Sequence, residues 1–152
     1  VKTAFSNLGV VEKFWKVAQK PGKPLFFGTL DNKLIFGLPG NPVSSFIGYL
    51  EYIHPVIRMM SGQMQESKIS MPLIGGYPVE KLKHRFMFGK CGIVNGRLMC
   101  IASNKTGSHM LTSSLGSNCI IDVPPSNKPV MDGDWVTVNL LSNFTSEQLL
   151  HE

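Results

Sequence analysis

The stretch at residues 36–44, FGLPGNPVS, constrains the fold more than any other, because it joins an apolar strand to a helix through a tight Pro-Gly turn. Asn41 stands where an N-cap side chain accepts backbone N–H groups. Pro42 suits the first helical position, where its missing N–H would have no helical partner. The sequence therefore predicts a strand end, a turn and a helix start within this one segment.

A second motif suggests what this turn binds. Helix starts carry partial positive charge and backbone donors, so they suit an oxyanion. Upstream, residues 20–24 read KPGKP and place Lys20 and Lys23 in a stiff turn. Our hypothesis is that the two segments build one anion site. The alternatives are a connection with a purely structural role and two solvated turn lysines.

Residues 42–61 are predicted to form the main helix, with Pro55 causing a kink or a new turn because it cannot bond to the carbonyl of Glu51. Gly62 is a plausible residue for the helix end. The apolar stripe expected to be buried consists of Val43, Phe46, Ile47, Leu50, Ile53 and Ile57. Before this helix, two apolar runs flank Asp31-Asn32-Lys33 at hairpin spacing.

The pattern changes after this helix and divides the chain into segments. Residues 1–62 supply only half of an α/β layer, so we expect part of that domain to precede Val1. Residues 63–70 are polar and are predicted to be a linker, and residues 147–152 a tail. Residues 71–146 read as a small all-β domain, a barrel or sandwich. Its candidate strands are 79–94, 97–103, 118–123 and 134–141.

The net charge is +5 and is unevenly placed. Residues 1–30 and 63–105 carry the excess of Lys and Arg, whereas residues 106–152 are acidic. Two basic segments that a fold can bring together suit an anionic small molecule at least as well as nucleic acid. No basic run with interleaved aromatics marks a nucleic-acid platform, and no apolar run reaches the length of a membrane span. We therefore expect neither partner.

Three cysteines, Cys91, Cys100 and Cys119, form an odd number without a CxxC pair. This spacing does not indicate a metal site. It is typical of reduced, partly buried thiols, and we expect a cytoplasmic protein.

Several segments resemble one family. In the first half these are KPGKPLFFG (20–28), FGLPGNPVS (36–44) and the helix end PVIRMMSG (55–62). In the second half they are HRFMF (84–88), GSHML (107–111) and SNCII (117–121). Together they resemble the MoeA family, the molybdopterin molybdenumtransferases, which includes the C-terminal domain of gephyrin. The resemblance covers nearly the whole chain, and the KPGKP and LPGNP pair is its most specific part.

The resemblance implies a fold and an activity. The fold would be the C-terminal part of a molybdopterin-binding α/β/α domain followed by a small all-β barrel-like domain. The activity would be insertion of molybdate into adenylylated molybdopterin, giving the molybdenum cofactor and AMP. The resemblance also implies a homodimer and Mg²⁺, with metal ligands expected upstream of Val1, so that this chain alone is inactive. A noncatalytic, gephyrin-like scaffold and a basic nucleic-acid-binding β-domain are the alternatives.

The resemblance also implies site residues, while catalytic residues stay unassigned and no metal ligand is expected within the chain. The residues implied to bind substrate or molybdate are Lys20, Lys23, Pro39, Gly40, Asn41, Pro42, Ser44, Arg85 and Ser108. Arg85 would fork onto an oxyanion, and the two prolines would shape the loop. His84 stands where the family has Gly, and Lys90 where it has a later Arg. A bulky neighbour at position 84 is expected to affect the orientation of Arg85.

Overall fold

Turn residues divide the chain into short elements, and these fall into two compact units, Val1–Glu66 and Ser67–Glu152. The computed structural model describes residues 2–64, 68–103, 114 and 116–141. The first unit contains α1 (Lys2–Asn7), β1 (Val11–Trp15), β2 (Gln19–Lys20), β3 (Phe26–Leu30), β4 (Lys33–Gly37), α2 (Pro42–Gly48), a π-helical turn (Tyr49–Ile53) and α3 (His54–Met60). The second contains β5 (Ile69–Ile74), β6 (His84–Val94), β7 (Arg97–Ala102), β8 (Cys119–Val123) and β9 (Trp135–Leu140).

In the first unit, β1, β3 and β4 form an antiparallel sheet with β3 in the middle. A two-residue turn joins β3 to β4, and Asp31 in that turn has a φ of 49°. The predicted hairpin is therefore confirmed. On β3, the Phe27 ring packs against the rings of Phe14 and Phe36, with centroid distances of 5.6 and 4.8 Å. The assignment of this unit to an α/β/α domain stays a prediction.

The helical segment is interrupted just before Pro55, as predicted. A π-helical turn precedes the proline, and the His54 N–H donates to the Tyr49 carbonyl five residues back. Because a π turn shifts the helical register, the expected apolar stripe is broken: Ile47 is buried, whereas Ile57 is 47% exposed. At the end of α3, Gly62 adopts a φ of 70° and the Gln63 N–H donates to the Arg58 carbonyl, which closes the helix.

The five strands of the second unit close into a small barrel, which confirms the predicted all-β barrel. The pairing order β6-β7-β5-β9-β8 returns to β6, because β6 pairs with both β7 and β8. Only the β5–β7 pair is parallel among these strands. The buried core consists of Met71, Leu73, Cys91, Cys100, Cys119, Ile121, Val123, Val136 and Val138.

Strand β5 begins at Ile69, inside the stretch 63–70 that we expected to be linker. Pro72 made this segment a poor strand candidate, because proline cannot donate to a sheet ladder. The Leu73 N–H donates to the Asp134 carbonyl, and the Leu73 carbonyl accepts from Gly133. Since backbone groups alternate along a strand, Pro72 points its nitrogen away from β9 and loses no bond there.

Strand β6 begins at His84, later than the expected start at residue 79. Its partner β8 ends at Val123, opposite Arg85, and Pro124 and Pro125 follow. Residues 79–83 consequently lack a neighbouring β8 ladder to continue the strand. None of the helices in the described part of the chain is long and apolar enough to cross a membrane.

All three cysteines are free and buried in the barrel core. Cys91 and Cys100 are directly opposite each other in the β6–β7 pair. Burial raises the pKa of the Cys100 thiol to about 12, and the nearby Cys91 adds to the rise. Cys100 is therefore a neutral thiol at physiological pH. In the described residues no group of three or more His, Cys, Asp and Glu side chains could hold a metal ion.

The raised pKa of Cys100 predicts a pH-dependent contribution to stability. Below the unfolded-state pKa the thiol is neutral in both states, whereas above it the unfolded state gains stability by losing the proton. Wild type therefore loses stability as pH rises from the ordinary value of 9.0 towards about 12. The stability advantage of wild type over Cys100→Ala should shrink between about pH 8 and about pH 10.5 in urea denaturation.

A Val138→Ala variant is the matched control, because it also empties buried volume but removes no titrating group. Its stability deficit should not change over the same pH interval. A Cys100→Ala deficit that is equally constant would contradict the prediction.

Candidate anion-binding site

Backbone hydrogen bonds hold the lysine turn, residues 20–24 of the first unit, in place. The Lys23 carbonyl accepts from the N–H groups of both Val17 and Leu25, at 3.0 and 2.9 Å. The Lys20–Pro21 peptide bond is cis. Lys20 and Lys23 are exposed, and neither has an ion-pair partner among the described residues. Both cations are therefore available to a ligand from solvent.

Gln19, at the start of this turn, is a structural residue that sequence reasoning missed. Its side chain is only 2% exposed. Its Nε2 donates to the Pro21 carbonyl at 3.0 Å, and its Oε1 accepts a hydrogen bond from the Tyr52 hydroxyl. No feature of the sequence marks Gln19 beyond its position next to Lys20, because its partner lies in the π-helical turn 33 residues away.

The lysine turn lies against the first turn of α2. Gly22 has a φ of 95°, and a Cβ atom built on it would lie 2.7 Å from Gln19 Nε2 and 3.4 Å from the Ser44 carbonyl oxygen. Only glycine suits both this backbone conformation and this close approach. The structure thus brings the KPGKP segment against the first turn of α2, which directly follows the LPGNP turn.

The start of α2 is capped by its own side chains. Asn41 Oδ1 accepts from the N–H groups of Val43 and Ser44, at 3.0 and 3.3 Å. The Ser45 N–H donates to the Asn41 carbonyl, and the Ser45 hydroxyl donates to the Pro39 carbonyl. The N–H groups of Val43 and Ser44 are consequently already bonded within the protein, so they are not open to a ligand in this structure.

The donors that remain lie one step earlier in the turn. The backbone N–H groups of Gly40 and Asn41 have no acceptor among the described residues, and both residues are exposed. A Cβ atom on Gly40 would meet nothing within 4 Å, so the space in front of it is open. Ser44, by contrast, is 8% exposed and lies on the buried side of α2. Pro39 is half-buried, and Pro42, the first residue of α2, is exposed.

Arg85 is in the second unit and already has partners there. Its Nε lies 3.1 Å from Glu80 Oε2, and its guanidinium lies 5.8 Å from the centre of the Tyr77 ring. The Glu80 carboxylate offsets part of the guanidinium charge, so a bound oxyanion would compete with this ion pair. That Arg85 forks onto an oxyanion stays a prediction.

His84 does not reorient Arg85, because successive residues of β6 point to opposite faces of the strand. His84 Nε2 contacts the Asp122 carboxylate, and its ring stacks on Phe86 with a centroid distance of 5.0 Å. Lys68 Nζ lies 3.1 Å from the other Asp122 oxygen. Lys68 thus forms an ion pair with a buried aspartate of the barrel, and His84 contacts the other oxygen of the same carboxylate.

Lys90 is exposed on β6, with its Cε 3.8 Å from where a Gly116 Cβ atom would lie. Ser108 falls outside the described residues.

A groove of about 840 Å³ opens on the barrel of the second unit. Sequence reasoning did not predict it, because the residues that line it come from three separate segments, 70–72, 94–99 and 133–135. They include Ser70, Pro72, Asn95, Arg97, Met99 and Trp135.

The fold is similar to that of a solved MoeA protein. The chain superimposes on the crystal structure of the molybdopterin biosynthesis MoeA protein from Pyrococcus horikoshii OT3 with a TM-score of 0.66 and 27% identity. The match covers 85% of this chain and 32% of that protein. The sequence profile of the MoeA C-terminal region, domain IV, matches residues 77–141. Those residues include β6 to β9 of the barrel.

Curated relatives extend the match to most of the chain. The molybdopterin molybdenumtransferase of Haemophilus influenzae is 33% identical over 141 residues, 90% of this chain and 35% of the relative. The molybdenum cofactor synthesis protein cinnamon of Drosophila melanogaster is 28% identical over 86% of this chain and 22% of its own length. The chain is thus similar to proteins of the MoeA family over most of its length, and residues 77–141 match the C-terminal region of that family. It spans about a third of the length of the Haemophilus relative.

The capping role of Asn41 predicts a defined loss of stability. Replacing Asn41 with Ala removes the acceptor of two N–H groups and should lower the free energy of unfolding of the first unit by about 1 kcal/mol. Asn41→Asp is the matched control, because it keeps the side-chain oxygen and should retain most of the stability. Urea denaturation followed by circular dichroism measures both. Equal stability of Asn41→Ala and wild type would show that the cap contributes nothing.

Proposed function

We propose that this chain acts in molybdenum cofactor biosynthesis and binds an oxyanion between the lysine turn and the LPGNP turn. The observation that carries the proposal is the contact at Gly22, whose Cβ position lies 3.4 Å from the Ser44 carbonyl. This contact joins the two most family-specific segments of the chain. The Haemophilus relative is named molybdopterin molybdenumtransferase, which supplies the chemical class of the ligand.

The proposed ligand and the site residues are chemically matched. Molybdate is a tetrahedral dianion, and molybdopterin carries a terminal phosphate, so both need fixed donors and cations. Lys20 and Lys23 supply two positive charges, and the exposed amides of Gly40 and Asn41 supply donors. The role of these residues is to bind and orient the oxyanion, while the side-chain cap that Asn41 provides for α2 keeps the turn in shape.

The proposed reaction is insertion of molybdate into adenylylated molybdopterin with release of AMP. The proposal also includes a homodimer and a requirement for Mg²⁺. The described residues do not fit a metal ion, since they contain no cluster of three or more suitable side chains. No role of the residues above depends on Mg²⁺. Ser108 stays in the proposal as a ligand-binding residue, and Arg85 enters it only if Glu80 releases it.

The proposal predicts that Lys23→Ala weakens binding of molybdate and molybdopterin more than it lowers stability. Lys23 is exposed, so its removal should change the free energy of unfolding by less than about 0.5 kcal/mol. Loss of one charge-assisted contact should raise the Kd by about tenfold or more. Titration calorimetry measures the Kd, and thermal unfolding measures the stability.

Lys33→Ala is the matched control, because Lys33 is an exposed lysine of the same unit in the β3–β4 hairpin. It should bind like wild type. Equal affinity of wild type and Lys23→Ala would refute the assigned site. Binding to DNA or RNA with an affinity that falls steeply as the salt concentration rises, together with no binding of the small molecules, would favour the nucleic-acid alternative.

A second prediction concerns the activity of this chain by itself. Because it spans 35% of the Haemophilus relative and its described residues hold no metal cluster, we expect it to bind ligands without inserting molybdenum. Incubation with adenylylated molybdopterin, molybdate and Mg²⁺ should give no more cofactor than a control without protein. A yield above that control would show that the chain is sufficient for the reaction.

A further inference from the structure

Gln19 is a buried polar side chain whose hydrogen bonds hold the backbone between the two lysines. A buried amide is unfavourable unless its donor and acceptor groups find partners. Gln19 uses its Nε2 on the Pro21 carbonyl and its Oε1 on the Tyr52 hydroxyl, and it is 2% exposed. Pro21 lies directly between Lys20 and Gly22. The side chain of Gln19 therefore fixes the segment that carries both cations.

On its other side, this segment lies close against the first turn of α2. A Cβ atom at Gly22 would lie 2.7 Å from Gln19 Nε2 and 3.4 Å from the Ser44 carbonyl. The turn is thus confined between the Gln19 amide and the first turn of α2, while the lysine side chains remain exposed. Anchoring a backbone in this way reduces the ordering cost of binding an anion with flexible lysines.

Tyr52 reaches Gln19 from the π-helical turn. Pro55 cannot donate to the Glu51 carbonyl, and the adjacent His54 N–H bonds to the Tyr49 carbonyl instead. The resulting turn, Tyr49–Ile53, changes the direction in which its side chains point relative to a continuous α-helix. The proline 35 positions after Lys20 in the chain is therefore coupled to the lysine turn through one tyrosine hydroxyl.

We propose that Gln19 and Tyr52 are positioning residues that hold the two-lysine turn in its anion-binding conformation. Neither residue is assigned to contact the ligand. They act through the Pro21 carbonyl on Lys20 and Lys23. This inference rests on the proposed anion site.

The first test needs no ligand and examines the turn itself. Tyr52→Phe removes only the hydroxyl, and Gln19→Leu removes both hydrogen-bonding groups from a side chain of similar size. Backbone ¹⁵N order parameters of Gly22 and Lys23 should fall in both variants. Tyr49→Phe is the control, because Tyr49 lies in the same π-helical turn with its ring against His54, and it should leave these values unchanged.

The second test measures binding of inorganic molybdate to the same chain. Tyr52→Phe should raise the Kd by about threefold to tenfold, the range expected for one lost hydrogen bond, with the Tyr49→Phe value equal to wild type. A general structural defect would act independently of the lysines. Tyr52→Phe is therefore combined with Lys23→Ala, in which background its effect on the Kd should largely disappear.

The outcomes separate this inference from the proposed function. Wild type that binds molybdate, with unchanged Kd and order parameters in Tyr52→Phe and Gln19→Leu, overturns the positioning role and leaves the anion site standing. Full additivity of Tyr52→Phe and Lys23→Ala also overturns it, because the tyrosine would then not act through the lysine. Absence of molybdate and molybdopterin binding by wild type overturns the anion site and the positioning role together.

Discussion

The close contact between Gly22 and the first turn of α2 is the constraint on which the candidate site depends. A side chain at position 22 would collide with the Gln19 amide and press on the Ser44 carbonyl. Because glycine also permits the φ of 95° there, the chain can turn sharply and bring its lysine segment against the helix. Without this contact, the two motifs would be unrelated loops of one unit.

The proposed anion site differs from a simple helix N-terminus. The donors at positions 43 and 44 are satisfied by Asn41, which makes α2 stable on its own side chains rather than on a bound anion. The groups left for a ligand are the exposed amides of Gly40 and Asn41 and the lysines of the opposite turn. Different groups therefore cap the helix and face the proposed ligand. The N-cap of α2 is consequently present whether or not an anion is bound.

In the barrel, too, a side chain takes the place of a backbone hydrogen-bonding partner. Asn118 accepts from the Cys91 N–H at 2.7 Å and donates to the Cys91 carbonyl at 2.9 Å, as a paired strand residue would. This bidentate contact ties the entry of β8 to β6. It places Asn118, in a segment that resembles the MoeA family, in a structural role within the second unit.

The sequence by itself determined the turn chemistry: the hairpin at Asp31, the cap at Asn41, the helix interruption at Pro55 and four of the five barrel strands, because each depends on local backbone preferences. It did not predict β5. It also indicated the resemblance to the MoeA family, through the KPGKP and LPGNP motifs. Tertiary structure decided which donors remain open, that Arg85 is paired with Glu80, and that Gln19 bonds to Tyr52. Such pairings join residues whose spacing in the chain carries no periodic signal, so only the folded contacts could reveal them.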